Sequence, residues 1–228
     1  MAALQLLDKL LQFPLFLGMS RDDLEIIAGH TRFGFLKLEA GKTVVKSGDN
    51  CNQLHFLING NLRVRTYSDD YGYSVEEQMQ APNILQLESV FGYYQRYTHD
   101  FIAQTDVNFI TIDKEEVMRL TEDFLVFRLN IMNHFATMTQ KKMRQVWSRP
   151  PQSLEERVIR FLVQHTTYPA GHKVFNILMT RLADEVNDSR LNVSRVLNEM
   201  QHKGVISLGR GKIEIPQLER LLYTTLNS

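Results

Sequence analysis

Apolar and polar positions follow two different rhythms along the chain. From about Phe33 to Ile112, short β-rich runs alternate with turn residues. The runs are Phe33–Leu38, Thr43–Val45, Leu54–Ile58, Leu62–Tyr67, Tyr73–Met79, Phe101–Gln104 and Phe109–Ile112. Between them lie Ala40-Gly41, Gly48-Asp49-Asn50, Asn59-Gly60-Asn61 and Ser68-Asp69-Asp70. This punctuation predicts an antiparallel barrel or sandwich. On either side the spacing turns helical. Leu4, Leu7, Leu10 and Leu11 share a face, and Ser20 is placed to cap a helix with Asp22 and Asp23 in its first turn. Glu115 to Trp147 contains no Gly or Pro and predicts one helix of about 30 residues, roughly 45 Å long. Phe124, Ile131 and Met138 repeat every seven residues, with Phe127, Arg128, His134 and Phe135 between them. That is more apolar face than a small domain needs. It predicts packing against the same helix of a second chain, with packing inside its own chain as the alternative.

Arg149-Pro150-Pro151 ends this helix and marks a hinge. Ser153-Leu154-Glu155-Glu156 is a capping box opening a helix over 153–165, followed by a polar loop at Tyr168–His172 and a strand at Val174–Ile177. Leu182 to Leu197 then reads as two short helices joined tightly. Leu182, Ala183 and Val186 give the first an inward side, and Asn187 suits the turn because Asn tolerates left-handed backbone. Ser189 is placed to cap the second helix, whose Val193, Val196, Leu197 and Met200 fall at i, i+3, i+4 and i+7. Arg190, Leu191, Asn192, Ser194 and Arg195 are left facing outward. Val205–Leu208, the turn Gly209–Lys212 and Ile213–Ile215 form a β-hairpin wing, and Pro216 starts a last helix ending near Leu226. A helix–turn–helix with a wing offers its outward face to the DNA major groove.

Charge distribution agrees with that reading, although the formal net charge is zero. Residues 1–140 hold 12 Lys/Arg against 18 Asp/Glu, and residues 141–228 hold 14 against 8. Much of the basic excess sits in Lys141, Lys142, Arg144 and Arg149; from Pro150 onward the balance is only 10 against 8. Length fits two modest domains, and 43% hydrophobic with 23% charged residues is ordinary for a soluble globular protein. A single cysteine, Cys51, excludes an internal disulfide framework and a cysteine-only cluster or zinc site within one chain. No run approaches the roughly 18–20 apolar residues that span a bilayer. The first residues lack a basic leader and are interrupted by Asp8-Lys9 and Pro14, so they read as a packing helix, not a secretory signal. A cytoplasmic protein without a membrane partner is expected. No nucleophile–base arrangement, metal cluster or phosphate-cradling glycine loop stands out, which argues against an enzyme.

The order of β-roll, long helix, proline hinge and winged helix–turn–helix resembles the bacterial Crp–Fnr superfamily of transcription regulators, over essentially the whole chain. Val44–Gly60 (VVKSGDNCNQLHFLING) is similar to the first signature of cyclic-nucleotide-binding folds, departing at His55, where an aliphatic or aromatic residue is usual. Glycines of that signature make strand turns. Cys51 stands where relatives accept a small residue and reads as structural. The second signature is not matched. Where relatives hold ribose with Gly-Glu and the cyclic phosphate with Arg-Ser or Arg-Thr, this chain has Gln86-Leu87 and Tyr97-Thr98. Glu88 falls one residue late and Arg96 one early, on the other face of an extended segment. A tyrosine cannot supply the charge-assisted bonds of the missing arginine, so cyclic AMP is not the expected effector. Gln86, Leu87, Glu88, Tyr97 and Thr98 remain the candidate effector-pocket residues, for an unidentified small molecule or none. The four histidines of the first 140 residues, His30, His55, His99 and His134, lack ligand-like spacing, so cofactors stay unassigned and no metal site is expected.

The resemblance implies that Ser189 opens the recognition helix and contacts phosphate, and that Arg190 and Arg195 fall where relatives place base-reading arginines. Arginine can grip guanine O6 and N7 together, and Asn192 could do the same for adenine. Leu191 stands where the prototype carries a cytosine-reading glutamate, so the preferred operator differs. Glu185, usually apolar, and Asn187, usually Gly, are two further departures. Lys141, Lys142, Arg144, Arg210 and Lys212 either add phosphate contacts or are solvated surface; Arg210 and Lys212, on the wing, stand as DNA contacts. The expected protein is α+β: an N-terminal antiparallel β-roll over 1–120, a dimerisation helix over 121–149 and a winged helix–turn–helix over 150–228. It is expected to be a homodimeric, sequence-specific transcription regulator on a pseudo-palindromic operator, with RNA polymerase as a further implied partner. The alternative is a ligand-binding signalling module whose C-terminal domain binds protein.

Overall fold

The computed structural model describes residues 2–147 and 149–221, and they pack as two compact units. The first comprises the chain up to Leu62 together with Met79–Trp147; the second comprises Arg63–Gln78 together with the chain beyond Trp147. In chain order the first unit opens with α1 (Ala2–Leu10), a 3-10 turn at Pro14–Phe16 and α2 (Arg21–His30). Ser20 caps α2 as its sequence predicts, its hydroxyl accepting from the Asp23 N–H at 3.1 Å. Strands β1 (Phe33–Leu38), β2 (Thr43–Val45), β3 (Gln53–Asn59), β4 (Asn61–Tyr67), β5 (Ser74–Gln80), β6 (Asn83–Leu85), β7 (His99–Ala103) and β8 (Val107–Asp113) follow. All seven predicted runs are strands to within two residues at each end; β6 is one that spacing did not reveal. Its three residues are too few to show a period.

Antiparallel pairing orders one sheet of the first unit β1-β8-β3-β6, and β2 pairs with β7. Phe33 lies opposite Ile112, and Leu54 opposite the same Ile112 from the other side, so β8 is sandwiched and buried at five of its seven positions. Phe56 on β3 meets Phe13 edge-on at 5.0 Å and Phe16 at 5.7 Å, and Phe16 meets Phe127 at 5.3 Å. This aromatic cluster fixes the helices on the sheet. Gly60 turns the chain between β3 and β4 at φ +90°, where an added Cβ would lie 2.4 Å from the Asp106 carbonyl; only glycine fits both demands.

The single helix expected over 115–147 is two helices, α3 (Lys114–Asp123) and α4 (Leu125–Val146), broken at Phe124 (φ −121°, ψ 105°). The two segments dock on different partners. Val117 and Leu120 bury α3 against β3 and β8, whereas Phe127 and Ile131 bury α4, which packs along the 3-10 turn and donates from the Asn130 side chain to the Leu15 and Leu17 carbonyls. Packing, not a helix breaker, sets the break. The seven-residue seam is corrected with it: Phe124 lies outside both helices, Ile131 faces its own chain, and the exposed apolar stripe runs instead through Leu125, Leu129, Met132 and Met143. Among the described residues no helix is long and apolar enough to cross a membrane.

The second unit adds α5 (Leu154–Gln164), β9 (Lys173–Asn176), α6 (Met179–Glu185), α7 (Arg190–His202), β10 (Ser207–Gly209) and β11 (Lys212–Ile215). Ser153 caps α5 by accepting from the Glu156 N–H at 3.2 Å, but the reciprocal bond of the capping box shifts by one residue, Glu156 accepting from the Gln152 N–H at 2.6 Å. Both β9 and the first wing strand differ in extent from Val174–Ile177 and Val205–Leu208, β9 beginning one residue early and β10 two residues late. Residues 218–221 are helical, and the rest of the last predicted helix lies outside the described residues. One core joins Val158, Phe161 and Leu162 of α5, Phe175 of β9, Leu182 and Val186, Val193, Leu197 and Met200 of α7, and Ile213 and Ile215 of the wing. Tyr73 and Val75 belong to the same core, because β5 pairs antiparallel with β9 beside β11.

Candidate nucleic-acid interface

Helix α7 is held by four devices, three of them legible in the sequence. Val193, Leu197 and Met200 are fully buried on one side. Ser189 caps the N-terminus, accepting from the Asn192 N–H at 3.2 Å. Asn187 takes the left-handed conformation that the sharp turn after α6 requires, at φ 51°. A fourth device was not legible in the sequence. Arg157 of α5 donates to the Val186 and Asn187 carbonyls, both at 3.0 Å, and to the Asp188 carboxylate at 2.5 Å. It thus closes the acceptors of the turn from behind. Asp188 in turn accepts from the Asn192 side chain at 2.9 Å and the Ser189 N–H at 2.8 Å. Those bonds, the Asn192 one foremost, hold its carboxyl below the ordinary aspartate range. No local motif marks a pair separated by 31 residues, so only folding brings Arg157 to the turn.

Opposite the buried stripe, Arg190, Leu191, Asn192 and Arg195 are exposed, Leu191 at 70%. Arg190 and Arg195 have no partner among the described residues, whereas Asn192 is bonded to Asp188. Leu191 and Arg195 lie one turn apart on the same face. In the wing, Arg210 and Gly211 make the two-residue turn, with Gly211 at φ +66°. Arg210 is exposed, while the Lys212 ammonium donates to Glu214 at 2.9 Å. Glu214 is also 2.8 Å from His172 Nε2, and the hydrogen bonds from these two partners, Lys212 first, hold its carboxyl below the usual range. Of the two wing cations, Arg210 is the one without an ion-pair partner among the described residues.

The candidate effector residues separate into two groups. Gln86 is 7% exposed and left-handed (φ 36°, ψ 57°), and its side-chain oxygen accepts from the N–H groups of Thr98 at 3.0 Å and His99 at 3.3 Å. Its amide nitrogen donates to the Thr98 hydroxyl at 2.7 Å. Gln86 and Thr98 therefore meet, and they satisfy each other. Leu87 and Tyr97 are buried, and Glu88 is exposed. Tyr97 turns inward: its hydroxyl donates to the Gln53 carbonyl at 3.1 Å and lies 3.0 Å from His55 Nδ1, and burial raises its pKa far above the tyrosine range. His55 is pushed below its usual pKa by burial, and the buried Cys51 thiol is pushed up by the same cause. Arg96 donates to the Gly48 carbonyl at 2.7 Å. A depression of about 390 Å³ lies over His55 and Tyr97, rimmed by Asp49, Asn50, Asn52, Asp113 and Glu115; Gln86, Leu87, Glu88 and Thr98 are not in its wall. Among the described residues no group of three or more His, Cys, Asp or Glu is placed to hold a metal ion.

Comparison with known families matches residues 156–223 to a Crp-like helix-turn-helix domain and residues 35–124 to a cyclic nucleotide-binding domain, which together cover more than half of the chain. The chain belongs to the Crp–Fnr family. Comparison with curated proteins finds no match. Among solved structures, the catabolite activator protein of Thermus thermophilus is 20% identical with a TM-score of 0.52, over 94% of this chain and 99% of that one. A protein of Eubacterium rectale described as a Crp/Fnr-family transcriptional regulator is 21% identical with a TM-score of 0.55, over 95% and 99%. The sensor domain of the regulator DNR from Pseudomonas aeruginosa is 14% identical with a TM-score of 0.53, over 66% and 99%. At these identities the likeness is one of fold.

As a Crp–Fnr regulator the protein is a DNA-binding transcription regulator and not an enzyme. The helix–turn–helix match spans α6, α7 and the wing, the elements that present Arg190, Leu191, Arg195 and Arg210. The cyclic nucleotide-binding match spans β1 to α3 without restoring the Gly-Glu pair or the phosphate arginine. In this Crp–Fnr chain a self-bonded glutamine and a buried tyrosine occupy those places.

Proposed function

We propose that the protein is a homodimeric, sequence-specific transcription regulator that reads a pseudo-palindromic operator with half-sites about 34 Å apart. The observation that carries this is α7 itself: buried along one side, capped and braced at its start, and exposing Arg190 and Arg195, partnerless among the described residues, around Leu191 on the other. Arg190 and Arg195 read base edges, Leu191 touches apolar surface such as a thymine methyl, and Ser189 contacts phosphate. Asn192 reads a base only by sharing its amide with Asp188. Arg210 follows the backbone from the wing, and Lys212 joins it once released from Glu214. Dimerisation through α4, within the proposed 121–149 segment, is supported by the exposed stripe Leu125, Leu129, Met132 and Met143. The β-roll, residues 1–120, senses an effector that is not cyclic AMP, because neither Gln86-Leu87 nor Tyr97-Thr98 offers a cation to a cyclic phosphate. A DNA reader of this kind works in the cytoplasm, and RNA polymerase is the partner met at a promoter.

The test is selection of operators from random duplexes, followed by binding of Arg195→Ala to the selected site and to scrambled DNA. Wild-type binding falls steeply with salt, and the variant loses about 1–3 kcal/mol and its preference at one base per half-site. Equal binding of variant and wild type to both DNAs would remove Arg195 from base reading. Binding that does not depend on salt would favour a protein partner for the C-terminal domain.

A further inference from the structure

The core of the DNA-reading unit is not finished by the C-terminal segment alone. Val75 (2% exposed) and Tyr73 (9%) from the β4–β5 hairpin are part of it, Tyr73 meeting Phe161 at 5.5 Å and His165 at 5.6 Å. Backbone pairing extends the contact, with Ser74, Val75, Glu76 and Glu77 opposite Asn176, Phe175, Val174 and Lys173. At the far end of this ladder Glu77 and Lys173 are both essentially unexposed and form an ion pair at 3.2 Å. Glu77 also accepts from the Thr167 and Tyr168 N–H groups at 2.8 and 3.0 Å, and Lys173 donates to the Ala170 carbonyl at 2.8 Å. At the hairpin tip, Asp70 holds Arg181 of α6 at 2.9 Å. A buried charge that loses its partner is strongly destabilising, so undocking the hairpin would strand Glu77 and Lys173 and uncover Val75 together.

We propose that Arg63–Gln78 is a permanent strand pair of the DNA-reading head, which moves with that head as one body. The hairpin enters and leaves at Leu62–Arg63 and Gln78–Met79, so the chain passes between the two units at these two points as well as beyond Trp147. A signal from the β-roll thereby has a direct covalent route to the sheet that carries the wing. The regulatory meaning rests on the DNA-reading role proposed above; the docking does not.

Hydrogen exchange of the full chain tests it without DNA. Leu162→Ala loosens the head core, since Leu162 is fully buried there. Amides of residues 74–77 then exchange at least tenfold faster, in step with residues 173–176, while residues 54–57 of β3 keep wild-type rates. Unchanged exchange at 74–77 beside a faster head overturns the proposal. A second variant, Ser74→Cys with Asn176→Cys, staples a directly opposed pair whose side chains already meet at 3.3 Å. Operator affinity of the oxidised form stays within about threefold of the reduced form. Loss of binding on oxidation, restored by reductant, shows that the hairpin must leave β9 and sinks the single-body proposal.

Discussion

Arg157→Ala tests whether the brace behind the turn fixes the recognition helix. The guanidinium satisfies the Val186 and Asn187 carbonyls and pairs with Asp188. Asp188 keeps its Asn192 and Ser189 bonds when Arg157 is removed, so its contribution is left out of the sum. Two bonds from a charged donor to carbonyls are each worth about 1.5–3 kcal/mol when dry. Arg157 is 35% exposed, so water replaces part of each and the sum falls to about 2 kcal/mol. The second unit should lose that amount in urea unfolding, read with the roll as an internal reference. Operator affinity at fixed salt should fall about tenfold, because DNA must then order the turn. Arg157→Lys should recover only part of both losses, since one ammonium cannot span two carbonyls and a carboxylate. Wild-type unfolding and wild-type affinity for Arg157→Ala together would refute the brace. Loss of stability with full affinity would restrict it to folding.

Three further expectations follow from other parts of the chain. Leu129→Glu with Met132→Glu, on half-exposed apolar positions of α4, acts twice across a two-fold interface and should weaken a dimer by on the order of 4 kcal/mol, about a thousandfold; an unchanged sedimentation mass at low micromolar concentration would move the interface elsewhere. His55 has a lowered folded pKa, so the unfolded chain binds the extra proton first. Its stabilising contribution is complete above about 6.5 and is lost as pH falls from there towards the folded pKa. The fall in Tm between pH 7.5 and 5.5 should therefore shrink in His55→Phe, and an identical slope would show that His55 is not the titrating group. Cyclic AMP should not raise Tm, and a reproducible rise would overturn the reading of Gln86 and Tyr97.

Much of this protein could be read from residue order. Seven strands, the cap at Ser189, the left-handed Asn187 and the i, i+3, i+4, i+7 stripe of α7 all depend on local sterics and on a periodic choice between inside and outside. Each is written within a few residues, and so is the family likeness. The departures at Gln86 and Tyr97 were legible as missing chemistry, but their replacement was not. That Gln86 turns its amide onto Thr98, and Tyr97 its hydroxyl onto Gln53, depends on strands brought together from 12 and 44 residues away. Tertiary contact likewise decided the break at Phe124, where two docking surfaces pull one good helix sequence apart. It decided the brace from Arg157 and the pairing of β5 with β9. Backbone hydrogen bonds across a sheet edge carry no residue code, and a buried Lys–Glu pair separated by 96 positions has no period. Local rules determined what each segment becomes, and long-range packing decided which segments complete one another.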